Sequence, residues 1–274
     1  MGQEQSSRHF SELETRVENP PDGSPPQGLA LIAHRRLGGT FDQPPVRQLA
    51  EYLCRRQKLR VVTWNNRGTG NSHGPNEWIH FGTWIGDVGV GDYNAMLREH
   101  MRRFAEDHPS FGGDRKAKLF ICRIDNQKGY SAGAIYAGCA RPPPQFSGFF
   151  APAHYILISY PVELNPVIGL FKSGSYFRSV EALVQGWGWE SLPEEFAGRE
   201  PDVAAVLTVT GQLDTYVLYG AWTAVLGGKD ARGVLSHAVV EGAGHAWEGK
   251  AQCIPEEVEK WLEDLGSRSY DVDD

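Results

Sequence analysis

Residues 118–140 read K-L-F-I-C-R-I-D-N-Q-K-G-Y-S-A-G-A-I-Y-A-G-C-A, and the fold of the whole chain turns on how that stretch is parsed. The apolar run from Leu119 to Ile124 suits a buried strand, and after Gly129-Tyr130-Ser131-Ala132-Gly133 small and apolar residues continue at helical spacing. The pattern predicts strand, tight turn, helix. A serine at the apex of such a turn needs neighbours with almost no side chain, because the backbone must fold sharply to lift the hydroxyl clear. Ser131 is therefore the candidate nucleophile. The chain has 32 glycines, so the pentapeptide alone would read equally well as an ordinary helix start with Ser131 as N-cap.

The remainder of the chain decides between these. A serine nucleophile needs a base and an orienting acid, and behind a strand-to-helix turn of this kind they follow in the order Ser, Asp, His. Residues 203–210 form an apolar run ending in Gly211-Gln212-Leu213-Asp214, and residues 234–240 another ending in Glu241-Gly242-Ala243-Gly244-His245. Asp214 and His245 each sit just past an expected strand end. Asp202 precedes its strand and Asp230 lies in a glycine-rich loop, so Asp214 is the expected acid.

Length and charge narrow the class. A chain of 274 residues fits one large α/β domain. Its net charge of −7 and pI near 5.7 argue against a general nucleic-acid binder. No apolar stretch reaches the length of a membrane span, and the first residues lack the apolar core of a signal peptide. Met1-Gly2 with Ser6 matches the loose myristoylation pattern, yet acidic Glu4 and the lack of a basic cluster would leave one acyl chain with marginal membrane affinity. Cys54, Cys122, Cys139 and Cys253 are scattered without C-x-x-C spacing and read as reduced, mostly core thiols of a cytoplasmic protein.

In chain order, residues 10–17 alternate loosely as an edge strand, and a Pro- and Gly-rich linker follows to residue 27. Residues 28–34 form a near-continuous apolar run, as expected of a strand covered on both faces. It leads into Arg35-Arg36-Leu37-Gly38-Gly39. Acyl transfer needs two backbone N–H donors aimed at the developing oxyanion. The expected pair is the amide of Ala132 and one near Arg36 or Leu37. Arg35 and Arg36 could also meet a carboxylate or polarised carbonyl, or simply be solvated.

Pro44-Pro45 opens a helix with Val46, Leu49, Ala50, Leu53 and Cys54 on one stripe. The next strand, residues 59–64, runs into a turn containing Arg67-Gly68-Thr69-Gly70. A dinucleotide site wants its helix to open at the glycines, whereas Pro75 and a polar, aromatic loop intervene here. The following helix presents Tyr93, Met96, Leu97, Met101 and Phe104. Residues 155–159 are another buried strand. The stretch 160–202 is too long for an ordinary connection and reads as a small cap, with Tyr160, Trp187 and Trp189 offered to a substrate or forming the cap's own core. A final helix carries Val258, Trp261, Leu262 and Leu265 and is expected to end at Gly266. Residues 1–27 are thus an edge segment and linker, 28–266 the domain, and 267–274 an acidic tail.

These pieces together resemble the α/β-hydrolase superfamily from about residue 28 to 265, and within it the compact dienelactone-hydrolase-like and small esterase-like branch. His34 with Gly38-Gly39, the R-G-x-G-x-S turn at residues 67–72, the elbow at 129–133, Gly211 to Asp214, and Gly242 to His245 before Trp247 carry the resemblance. It implies a mainly parallel sheet flanked by helices, with the nucleophile after the central strand and a variable cap. One departure is visible: in that family the strand runs almost directly into the elbow, whereas here the polar piece 123–128 intervenes.

The resulting expectation is a serine hydrolase cleaving an ester, lactone or thioester of a medium-sized, largely apolar small molecule. Ser131, His245 and Asp214 would form its triad, and neither metal nor organic cofactor is needed. Fold does not fix reaction. The same residues allow carbon–carbon bond formation, cleavage or cyclisation with His245 as base, or a binding protein without chemistry. Aromatics at Phe149-Phe150, Tyr160 and the cap suggest an apolar pocket.

Overall fold

A computed structural model of the chain describes residues 13–34, 39–74, 87–124, 135–160, 173–185, 205–215 and 234–268. Strands β1 (Thr15–Glu18), β2 (Gly28–Ala33) and β3 (Arg60–Trp64) surround helix α1 (Pro44–Arg55) in sequence. Helix α2 (Asp87–Asp107) precedes β4 (Lys118–Ile124), and the short α3 (Ile135–Cys139) precedes β5 (His154–Ile158). Then come α4 (Ser173–Val184), β6 (Ala205–Gly211), β7 (Leu235–Val240) and α5 (Cys253–Arg268).

The strands form one seven-stranded sheet in the order β1-β3-β2-β4-β5-β6-β7. Only β1 is antiparallel; the other five pairings are parallel. This is the α/β-hydrolase sheet, and its parallel core explains why β2, β4 and β5 read as unbroken apolar runs: helices cover both faces. On one face α1 and α5 set Val46, Leu49, Leu53, Ile254, Val258 and Trp261 against Ile32, Phe120, Cys122 and Ile156. On the other, α2, α3 and α4 set Tyr93, Leu97, Phe104, Ala137, Val180 and Leu183 against Leu31, Ile121 and Leu157. The Tyr93 hydroxyl lies 3.0 Å from the Leu31 carbonyl and 3.1 Å from that of Cys122, so its one proton seats α2 across β2 and β4.

Several expectations shift in detail. The edge strand begins at Thr15, and its burial alternates between exposed and half-buried, as a strand paired on one side only should. Arg123 and Ile124 belong to β4 rather than to an interposed polar piece. Arg123 pairs in register with Ala33 and Leu157, and ladders on both sides carry the strand past Cys122. The segment that separates strand from elbow therefore starts at Asp125.

Helix α5 continues through Gly266 to Arg268. An exposed helical glycine costs only about 1 kcal/mol, and the Ser267 hydroxyl donates back to the Asp264 carbonyl at 2.7 Å. Phe149 and Phe150 do not face the candidate site. They join Phe104, Phe111 and Phe146 in an aromatic cluster beside Ala117, which precedes β4 and so lies at the opposite edge of the sheet. All four cysteines are free thiols; Cys54 and Cys122 are buried, Cys139 and Cys253 half-buried.

Candidate active site

β6 and β7 run parallel with Gly211 opposite Val240, so their following loops emerge side by side at the carboxyl edge of the sheet. The two loops are stitched together by main-chain bonds, Gln212 N–H to Val240 carbonyl at 2.9 Å and Leu213 N–H to Ala243 carbonyl at 2.8 Å. The Gln212 side-chain carbonyl accepts the Gly242 N–H at 3.1 Å. Only glycine permits this approach at position 211, where a Cβ would stand 2.4 Å from the Ala243 carbonyl oxygen.

This stitching delivers Asp214 to His245. Asp214 Oδ2 lies 2.8 Å from His245 Nδ1, and the two side chains are 0% and 3% exposed. A carboxylate on Nδ1 holds the neutral ring with its proton there, leaving Nε2 with a lone pair to accept one. A carboxylate and an imidazole oriented by it are thus present as a buried unit.

A second clasp fixes the histidine loop from the other side. Trp247 takes a left-handed backbone conformation, φ 59°, and so does Ser159 at the end of β5, φ 54°. Such conformations are uncommon for residues with side chains and persist where the surroundings impose them. Here the Trp247 indole N–H donates to the Ser159 hydroxyl at 3.0 Å, both residues being buried, while the Ser159 N–H reaches the Val209 carbonyl at 2.8 Å. The loop carrying His245 is therefore tied to the ends of both β5 and β6.

On the opposite flank the glycine turn after β3 is filled from within the chain. Glu14 accepts from the Asn71 N–H at 2.8 Å, the Asn71 amide at 2.9 Å and the Asn65 amide at 2.6 Å. These bonds, led by that from the Asn71 backbone, hold the Glu14 carboxyl below its ordinary range. Gly70 sits at φ 57°, where a Cβ would strike the Asn65 amide and the Glu14 carboxylate. Arg67 makes a bidentate pair with Asp92 of α2, both contacts at 2.8 Å. Buried His34 accepts the Asn66 N–H on Nε2 at 3.1 Å. The Asn71 N–H of this glycine turn is thus taken up by an internal carboxylate.

Of the other expected site residues, Ser131, Ala132, Arg36, Leu37, Trp187 and Trp189 lie outside the described residues. Tyr160 is fully buried, its ring close to Gly138 of α3. Among the described residues no group of three or more His, Cys, Asp or Glu is placed to hold a metal, and no helix is long and apolar enough to cross a membrane. Sequence reasoning missed the Trp247–Ser159 clasp and the Glu14 network. Neither has a local signature, since each joins residues far apart in the chain.

No protein-family model matches this sequence, and no curated protein matches it. Solved structures do. An α/β serine hydrolase homologue from Coxiella burnetii aligns over 91% of each chain with a TM-score of 0.57 at 20% identity. Est1E from Butyrivibrio proteoclasticus, solved with ferulic acid bound, aligns over 92% of this chain and 94% of its own, TM-score 0.56, 16% identity. An α/β serine hydrolase without a lid from Xanthomonas campestris covers 91% and 89%, TM-score 0.52, 17% identity. At these identities the likeness speaks to the fold.

Proposed function

On this α/β-hydrolase fold we propose that the chain is a serine hydrolase acting on an ester, lactone or thioester of a medium-sized, largely apolar substrate. The observation that carries the reading is the buried His245–Asp214 pair, 2.8 Å apart at the carboxyl edge of the sheet. Ser131, in the segment after the central strand, would attack the carbonyl while His245 Nε2 takes its proton. The amides of Ala132 and of Arg36 or Leu37 would hold the oxyanion. As the tetrahedral adduct collapses, the imidazolium returns the proton to the leaving alcohol or thiol. Water then repeats the sequence on the acyl-serine, releasing the acid and restoring Ser131. Asp214 keeps the ring in the productive tautomer and stabilises it when charged. Trp187 and Trp189 are assigned to the substrate's apolar portion, whereas Tyr160, expected beside them, is fully buried in the core and is not. We place the small cap at about 160–202; the domain takes in β1 as well as the expected 28–266, and its last helix runs on to Arg268.

The test is labelling with a fluorophosphonate probe alongside turnover of short acyl esters. Ser131→Ala should abolish both while the protein stays folded. Unchanged labelling would sink the assignment. Retained turnover in Ser131→Ala with loss in His245→Ala would move the chemistry to a histidine base acting without a nucleophile.

A further inference from the structure

On its side towards β1, helix α1 sets Arg47, Ala50, Glu51, Cys54 and Arg55 at i, i+3, i+4, i+7 and i+8, one stripe along the helix. Opposite stand Arg16 and Glu18 of β1. They pair in register with Thr63 and Val61 of β3, so their side chains share a sheet face with Val61, which packs in the core beneath α1. Stripe and strand border a groove of about 420 Å³, a volume within the range of small-molecule sites. Arg55 pairs with Glu51 at 3.0 Å, and Arg16 with Asp42 at 2.9 Å. Arg47 and Glu18 have no ion pair among the described residues. The two stand towards opposite ends of the groove. As the crossover between parallel β2 and β3, α1 runs against the strands, so Arg47 lies towards the carboxyl edge of the sheet and Cys54 towards the amino edge. Glu18, opposite Val61 near the start of β3, is on the Cys54 side; burial, and after it the Glu18 carboxylate, push that thiol up. From Arg47 to Cys54 the helix rises about 10 Å. Thr63 also lines the groove, 3% exposed, and its hydroxyl makes no hydrogen bond among the described residues. Inward charges alone would do no more than blunt an edge strand against pairing. A buried, unpaired hydroxyl asks for more, because its desolvation is offset only by a hydrogen bond.

We propose that this groove binds a linear zwitterion with its charges about 10 Å apart, the chemistry of a short peptide with free ends. An extended chain spans about 3.4 Å per residue, so about three residues cover that distance. The peptide carboxylate meets Arg47, its ammonium meets Glu18, and an amide between them bonds to the Thr63 hydroxyl. Ala50 and Cys54 give small apolar contacts that suit short side chains. The groove lies at the β1 end of the sheet, whereas Asp214 and His245 follow β6 and β7 at the other. The proposal therefore stands apart from the hydrolase reading.

The experiment titrates the full chain by calorimetry with trialanine, glycine, N-acetyl-trialanine and trialanine amide, each to about 10 mM. Trialanine should bind saturably. Glycine carries both charges too close together, and the two blocked peptides lack one charge each, so all three should bind at least about tenfold more weakly. Glu18→Gln should weaken trialanine about tenfold and leave the acetylated peptide, which has no ammonium to lose, unchanged. Arg47→Gln should do the same for trialanine and leave the amide unchanged. Thr63→Val should weaken every peptide without lowering the melting point of the free protein. Because each charge variant is matched to its own blocked peptide, general destabilisation cannot reproduce the pattern. No saturable binding of trialanine, equal binding of glycine, wild-type affinity in both charge variants, or equal loss for free and blocked peptides would overturn the proposal.

Discussion

Replacing Gly211 by Ala probes the joint on which the candidate site depends. The added methyl would lie 2.4 Å from the Ala243 carbonyl oxygen, 2.8 Å from its carbon and 3.2 Å from its Cβ. The first two atoms are backbone and cannot rotate aside. Restoring ordinary carbon contacts requires the end of β6 and the histidine loop to part by about 1 Å. The Leu213 to Ala243 bond, now 2.8 Å, and the Asp214 to His245 bond, also 2.8 Å, span that same joint. A displacement of about 1 Å at reacting groups costs on the order of a hundredfold. Overpacking by one methyl costs about 1–3 kcal/mol of stability. The assays are kcat/KM for a short acyl ester and thermal unfolding, with Gly244→Ala as control, since a Cβ there meets nothing within 4 Å. The expected result is a folded variant with a melting point several degrees lower and activity down on the order of a hundredfold, beside a near-normal control. Activity within about threefold of wild type in Gly211→Ala would refute the claim that this contact sets the acid–base geometry.

Two further outcomes are expected. Asp214→Asn should leave the melting point nearly unchanged and lower kcat by orders of magnitude, because an amide can hold the ring in the wrong tautomer; near-normal turnover would place the acid elsewhere. His154, stacked on Phe120 at 4.8 Å and edge-on to Trp261, is pushed down to about 4 by burial. The unfolded chain therefore binds this proton first, and the group's contribution to stability is complete above pH 6.5 and lost as pH falls towards 4. The difference in unfolding free energy between wild type and His154→Phe, followed by urea titration, should change across that window. Parallel curves would count against it.

Most of the sheet was legible because parallel strands buried on both faces leave continuous apolar runs, and β2, β4, β5 and β6 each lie within two residues of where such runs end. The meeting of Asp214 and His245 was legible for a related reason: each follows a strand closely, so a linear pattern puts both at one edge of the sheet. The flanking contacts were not. Nothing local in I-S-Y announces that Ser159 will accept a bond from an indole 88 positions away. Glu14 reads as one more polar residue of an edge segment until β1 pairs with β3 and sets it beside Asn65 and Asn71. The aromatic pair at Phe149-Phe150 misled because composition marks apolar character without saying which end of the sheet receives it.

The arrangement also separates precision from variability. Asp214 and His245 are held by strand register, by the Gly211 contact and by the Trp247–Ser159 bond, all of which belong to β5, β6 and β7 and their immediate ends. None of these ties draws on α4 or on the stretch assigned to the cap. A left-handed backbone at two non-glycine residues is a cost the fold carries next to this pair. That cost is intelligible if an error of a fraction of an ångström between base and acid matters more than local strain. On the proposed reading, substitutions elsewhere in the chain can then alter which substrates are accepted while the Asp214–His245 geometry stays fixed by the sheet.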